Sequence, residues 1–221
     1  MSDFLTIPII GKMHSPFKEK FGIPRQPNLV EIETFIELNP PYNDACAFEG
    51  IEQFSHLWLL WHFHENKHTD FKPQVRPPRL GGNQKLGVFA TRSMYRPAPI
   101  GLSVVKFKRL EQTQKGLRLV VTGSDLLDGT PIVDIKPYIA YSDAVDAQSG
   151  YATDVPERKS VIWEVTPNIA IQQEIEQVLS LDPRPAYQQD PNRIYGMRFG
   201  DWNVRFRVDD AIYICGVEHE L

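Results

Sequence analysis

Alternation with a period of two recurs along this chain and predicts a mainly β fold. Val30, Ile32, Thr34, Ile36 and Leu38 share one face of a segment whose other face carries Glu31, Glu33 and Glu37, as in a half-buried antiparallel strand. Residues 4–13 are apolar and β-branched, and Ser15-Pro16 then turns the chain, so they read as a first strand. The stretch HLWLLWHFH, residues 56–64, is short and aromatic, which favours a buried strand over a helix. His56, Trp58, Leu60, His62 and His64 would share one of its faces, and Leu57, Leu59, Trp61 and Phe63 the other. Residues 86–91, 100–110, 117–123 and 131–135 read as further strands, with turns at 112–116 and at Asp128-Gly129, and residues 45–54 as a short helix.

Residues 141–160 are polar and without periodicity, which predicts a boundary between a larger domain at 1–145 and a smaller one at 155–221. Beyond it, Thr166 reads as an N-cap and Pro167 as a first-turn residue. Ile171, Ile175, Val178 and Leu179 recur at i, i+4, i+7 and i+8, an amphipathic helix that DPRPAY (182–187) ends. Trp202, Val204, Phe206 and Val208 then alternate with Asn203, Arg205 and Arg207, a strand with one core face and one face bearing two guanidinium groups.

The 221 residues are 42% hydrophobic, enough for a substantial core in one domain or a domain with an appendage. Nothing resembles a leader or a membrane span, since residues 57–63 are too short to cross a bilayer, so the protein is expected in the cytoplasm. Cys46 and Cys215 lie far apart and read as small hydrophobes.

Charge changes the picture more than composition does. Residues 71–110 hold nine Lys and Arg and no Asp or Glu, although the chain as a whole is formally −4. That segregation is the footprint expected for a polyanion, with a solvated surface loop as the alternative. Pro97 and Pro99 stiffen the same stretch, so Arg92 and Arg96 would be held in place before a ligand arrives. Asp125, Asp128 and Asp134 lie close enough in sequence for general-base work or for holding ribose hydroxyls, although turn-forming Asp is equally common. His62, His64 and His68 with Glu65 invite a metal reading, but no Cys or carboxylate set completes a recognised spacing and the expectation is no metal. Phosphate-binding loops, dinucleotide fingerprints and a nucleophile elbow are absent.

The succession PRQPN, FHEN, RPPRLGGN, GVFATRSMYRPAPIG, GSDLLDGTP and DIKPY closely resembles the TsaA-like, or TrmO, family of S-adenosylmethionine-dependent tRNA methyltransferases. The resemblance runs over about residues 4–141, and 182–187 with 202–208 are similar to the family's C-terminal extension. It implies a small antiparallel β-barrel with a smaller C-terminal α+β domain, a homodimer, and methylation of N6 of threonylcarbamoyladenosine beside the tRNA anticodon. It also implies cofactor contacts at Gln26, Pro27, Asn28, His64, Glu65, Arg92, Leu102, Asp125, Leu126, Leu127 and Asp128. Some relatives look to carry Gln in place of Glu65. Proton abstraction would fall to His64, Glu65, Asp125 or Asp128. Arg76, Arg79, Lys85, Arg96, Arg184, Arg205 and Arg207 are the residues expected to meet the anticodon stem-loop. A non-catalytic RNA-binding module and a metal-dependent hydrolase are the competing readings.

Overall fold

The computed structural model describes residues 5–67, 71–81, 83–167, 169–185, 188 and 190–220. The chain opens with β1 (Gly11–His14), β2 (Glu33–Leu38) and β3 (His56–His62), followed by a short ladder of β4 (Gln74–Val75) and β5 (Leu86–Gly87). Then come β6 (Ile100–Thr113), β7 (Gly116–Thr122) and β8 (Pro131–Pro137). The six longer strands pair antiparallel in the order β1-β2-β7-β6-β3-β8, and β8 returns to β1, so the sheet closes into a barrel. Its interior is filled with apolar side chains: Met13, Ile36, Leu57, Leu59, Leu119 and Val121 are completely buried there, each from the apolar face of its strand.

After the single turn α1 (Ala140–Asp143), the second unit holds β9 (Val161–Trp163), α2 (Gln172–Leu179), β10 (Tyr195–Phe199), β11 (Trp202–Val208) and β12 (Ile212–His219). Its four strands pair in the order β10-β11-β12-β9, antiparallel except for the parallel β12–β9 pair. The apolar stripe of α2, Ile175, Val178 and Leu179, is buried with Val204, Phe206 and Ile214 in a second core. Phe17, Val30 and Ile32 belong to that core too, so residues 15–32 leave the barrel, line the C-terminal sheet and return to β2.

Several expected elements are trimmed. Val30 and Ile32 are buried as their alternation predicts, but against the second core, and β2 begins only at Glu33. The first strand is confined to Gly11–His14, and residues 45–54 form two 3₁₀ turns, Ala45–Phe48 and Ile51–Gln53. The segment 86–91 pairs over only two residues and then tightens into a 3₁₀ turn, Val88–Ala90, because only Val88 finds a buried site. α2 starts at Gln172 and not near Thr166; Ile169 and Ile171 already pack on the core upstream of it. β10 and β12 were not among the expected strands, although Tyr195, Met197 and Phe199 alternate with Gly196 and Arg198.

Candidate active site

A cavity of about 560 Å³ opens where β3, β6, the 20–27 loop and the 92–96 loop converge. The size is ordinary for a small-molecule site, which typically spans about 300–1,000 Å³. Gln26 and Pro27 contribute from the first loop, Trp58, Trp61 and His62 from β3, and Phe63, His64 and Glu65 from the residues just after it. Arg92, Arg96, Leu102, Asp125 and Leu127 complete the wall among the residues expected to matter.

Asp125 brings a carboxylate to the wall, partly buried beside the fully buried Ser103 and Thr130. Its Oδ1 accepts the Ser103 hydroxyl at 2.7 Å, and the Ser103 oxygen in turn accepts the Trp61 indole N–H at 3.0 Å. Burial pushes the Asp125 carboxyl up to about 6, while the Ser103 hydroxyl and the nearby Arg92 charge pull the other way. The PIGLS sequence makes this relay possible. Trp61 faces Gly101 across the β3–β6 ladder, and a Cβ on Gly101 would lie 2.3 Å from the indole ring. Only glycine leaves room for the indole over β6 so that it can reach Ser103, the residue paired with Leu59 two positions before Trp61. A register shift between Leu60 and Trp61 in the β3–β8 pairing breaks the strict alternation, so Trp58 and Trp61 both reach the cavity. The Phe63 ring packs edge-on against Trp61, with centroids 4.3 Å apart.

The loop carrying Gln26 is held from both sides. The Arg92 guanidinium donates to the Gln26 side-chain oxygen at 2.6 Å. Asn28 adopts φ 61°, its N–H donates to the Gly123 carbonyl at 2.8 Å and its side-chain amide to the Val104 carbonyl at 2.9 Å. Gly123, at φ 82°, has no room for a Cβ, which would stand 2.3 Å from the Asn28 side-chain oxygen. From the C-terminal unit, Arg158 donates to the Leu29 carbonyl and to Ser180, and Arg25 donates to the Arg184 carbonyl at 3.0 Å. The Gln177 side chain accepts the Glu31 N–H at 2.8 Å.

Not every expected residue reaches the cavity. Asn28 acts as the bracket just described, and Leu126 is 1% exposed in the barrel core. Asp128 is also outside the lining, because its carboxylate accepts the Ser15 N–H at 3.0 Å and pairs with Lys18 at 2.8 Å. His64 leaves the strand after β3 ends, with its Nε2 3.9 Å from Glu65. Among the described residues no three His, Cys, Asp or Glu cluster as metal ligands, and His68 lies outside the described residues. Trp61, Ser103 and Trp58 were missed as site residues. The small-residue pattern G-x-S opposite an aromatic strand was their only signal.

The basic residues divide. Arg76, Arg79 and Lys85 are exposed on the 71–96 segment, and Arg79 donates to the Asp154 carbonyl. Arg96 lines the cavity and donates to the carbonyls of Thr91 and Ser93. Arg184 is committed elsewhere: it grips Asp182 through two hydrogen bonds of 2.9 Å, and only 11% of its side chain is exposed. Arg205 pairs with Glu218, while Arg207 pairs with Glu164 at 2.6 Å and stacks on Tyr213 at 4.0 Å. The C-terminal strand face therefore carries neutralised arginines.

Comparison with known proteins bears on the whole chain. The family model for the tRNA-methyltransferase O N-terminal domain matches residues 12–144, and that for the TrmO C-terminal domain matches residues 156–220. The chain is 43% identical over 217 residues to an Escherichia coli K12 protein named tRNA (adenine(37)-N6)-methyltransferase, covering 91% of this chain and 92% of that one. It is 42% identical over 135 residues to a Pyrococcus abyssi protein named "Probable S-adenosyl-L-methionine-binding protein", covering 61% of this chain and 68% of that one. A crystal structure of TrmO from Pseudomonas aeruginosa superposes with a TM-score of 0.79 at 38% identity, over 99% of each chain. With both of its halves matched and a relative this similar along nearly its full length, the chain belongs to the TrmO family of tRNA methyltransferases.

Proposed function

We propose that this protein transfers a methyl group from S-adenosylmethionine to N6 of adenine 37 in tRNA, and that this adenine already carries a threonylcarbamoyl group. The names of its relatives support the cofactor, the base and the position. The observation that carries the chemistry is the partly buried Asp125 carboxylate, held by Ser103 and open to the cavity.

The cavity suits the cofactor. Asp125 and the faces of Trp58, Trp61 and Phe63 can receive a sulfonium cation, and Arg92 and Gln26 stand where polar ends of the ligand would be gripped. When bound, S-adenosylmethionine supplies an electrophilic methyl group whose bond to sulfur breaks as a new bond to nitrogen forms. The protein's part is positioning and proton transfer.

In a threonylcarbamoyl-adenine the N6 lone pair is delocalised into the urea and the ring, so N6 must shed its proton as it attacks. With its carboxyl at about 6, Asp125 is ionised at neutral pH and takes that proton. Ser103 keeps the accepting oxygen aimed, and Trp61 keeps Ser103 aimed. Arg96 and Lys20, both on the cavity wall, are the cations suited to the threonine carboxylate.

The test is mass spectrometry of nucleosides from tRNA incubated with the protein and S-adenosylmethionine, using threonylcarbamoylated and unmodified tRNA side by side. Methylation of the first substrate alone is expected. Equal methylation of unmodified adenine would remove the threonylcarbamoyl requirement, and methylation of neither would remove the activity.

The same reading assigns the cofactor chemistry to residues 1–145 and gives residues 155–221 the task of holding the 15–32 segment. It also makes the protein a cytoplasmic homodimer, in which a second copy covers Leu102, 52% exposed at the cavity rim. No helix among the described residues is long and apolar enough to cross a membrane.

A further inference from the structure

Two phenylalanines stand out on the basic segment. Phe89 is 72% exposed and Phe71 is 54% exposed, with their rings stacked at 6.3 Å and 30° between planes. Phe89 is not the tip of a loose loop. Its neighbour Val88 is buried and donates its N–H to the Pro73 carbonyl at 3.0 Å, and the Thr91 hydroxyl donates to the Val88 carbonyl at 2.9 Å. An anchored backbone thus presents an aromatic pair to solvent, which is a feature of binding surfaces.

The surroundings select the partner. Lys72, Arg76 and Lys85 are exposed on the same segment, and none of them has a carboxylate within ion-pair distance among the described residues. The arginines of the C-terminal sheet, Arg198, Arg205 and the half-buried Arg207, are by contrast all matched with glutamates. Lys72, one of the three cations, lies over the Tyr95 ring at 5.3 Å. A stacked aromatic pair bordered by cations that have no carboxylate partner among the described residues fits unpaired RNA, in which bases stack on aromatic rings while phosphates meet Lys and Arg. A second copy of this chain fits worse, because a two-fold contact here would press this cationic surface against itself.

We propose that Phe71 and Phe89 form a stacking platform for an unpaired base of the anticodon loop neighbouring the methylated adenine, with Lys72, Arg76 and Lys85 on the flanking phosphates. Arg92, three residues beyond Phe89, lines the cavity, so the platform and the reaction site are joined by one short turn. This rests on the tRNA methyltransferase reading and adds to it the surface that grips the loop.

The test is fluorescence anisotropy with a labelled anticodon stem-loop and full-length protein. Phe89→Ala should weaken RNA binding by about 5- to 150-fold, the equivalent of the about 1–3 kcal/mol of one stacked base. Phe89→Tyr should restore most of it. Calorimetric binding of S-adenosylmethionine should be unchanged in both variants, and the salt dependence should keep its slope because no phosphate contact is lost. RNA affinity within twofold of the parent protein in Phe89→Ala would overturn the platform while leaving the methyltransferase reading standing. So would conversion of a dimer to a monomer in sedimentation velocity, which would make the pair a self-association surface. Absence of stem-loop binding by the unmodified protein would instead sink the RNA reading on which the platform depends.

Discussion

Asp125→Asn separates catalysis from stability by their pH dependence. The carboxyl is raised from 3.8 to about 6, chiefly by burial, and at 1.36 kcal/mol per pH unit that displacement corresponds to about 3 kcal/mol. An acid whose folded-state value lies above its unfolded value favours the native state only while it is protonated. Its stabilising contribution is whole below the unfolded value and is lost as pH rises through the folded value near 6. Above that point the native protein holds a partly buried charge, and asparagine, which keeps an oxygen for the Ser103 hydroxyl, removes it. The variant should therefore be more stable than the parent by up to about 3 kcal/mol at about pH 8, and nearly equal to it at about pH 4. Urea denaturation at the two pH values measures the difference.

Activity should move the other way. Loss of a general base typically lowers the rate by about 10²- to 10⁴-fold. The parent's kcat/KM should rise with pH and level off near 6, and that inflection should vanish in Asp125→Asn. A variant equally destabilised at both pH values would show that Asp125 is not a carboxyl raised by burial, and one retaining the inflection would show that it is not the proton acceptor. Gaining stability while losing activity is the expected signature of a site residue kept for chemistry.

Three further outcomes follow from the same geometry. Gly101→Ala drives a Cβ to 2.3 Å from the Trp61 ring, so it should lower stability by about 1–3 kcal/mol and displace the indole, visible as altered tryptophan fluorescence; an unchanged spectrum would contradict the packing argument. Arg158→Ala frees the Leu29 carbonyl behind the Gln26 loop and should weaken S-adenosylmethionine binding about 3- to 10-fold by calorimetry, with partial rescue by lysine; unaltered affinity would mean the loop holds itself. Arg76→Gln should reduce the salt slope of tRNA binding by about one, whereas Arg205→Ala, already paired with Glu218, should leave it unchanged; the reverse pattern would put the RNA on the C-terminal sheet.

How much was legible in the sequence depends on the range of the interaction. Ile36 and Leu38 announced their strand because alternation is local, and Arg92, Leu102 and Asp125 were reachable through long motifs that resemble the family's. The Trp61–Ser103–Asp125 relay was not legible, because it depends on a register shift after Leu60 and on which residue of β6 lies opposite Trp61. Pairing register is a property of two segments: alternation within one strand assigns its faces but does not name the residue opposite. Burial of Arg184 by Asp182, two residues away, was closer to readable: a guanidinium and a carboxylate at that spacing in a proline-bound turn satisfy each other first.

Residues 15–32 show why the two units cannot be understood apart. This segment gives Phe17, Val30 and Ile32 to the C-terminal core and, between them, presents Gln26 and Pro27 to the cavity of the barrel. Each of those three side chains forfeits up to about 1.5–3 kcal/mol if its burial is lost. A chain ending at residue 145 would expose all three and lose Arg158, Gln177 and the Arg184 carbonyl as anchors of the loop. The barrel's own core, built from Met13, Ile36, Leu57 and Leu119, is untouched by that cut. Such a truncation should therefore keep the far-ultraviolet strand signal yet bind S-adenosylmethionine at least about tenfold more weakly, a loss of about 1.4 kcal/mol. Parent-like cofactor affinity in the isolated barrel would show that the Asn28 bracket and Arg92 alone preorganise the loop, and that the C-terminal sheet serves something other than the cofactor site.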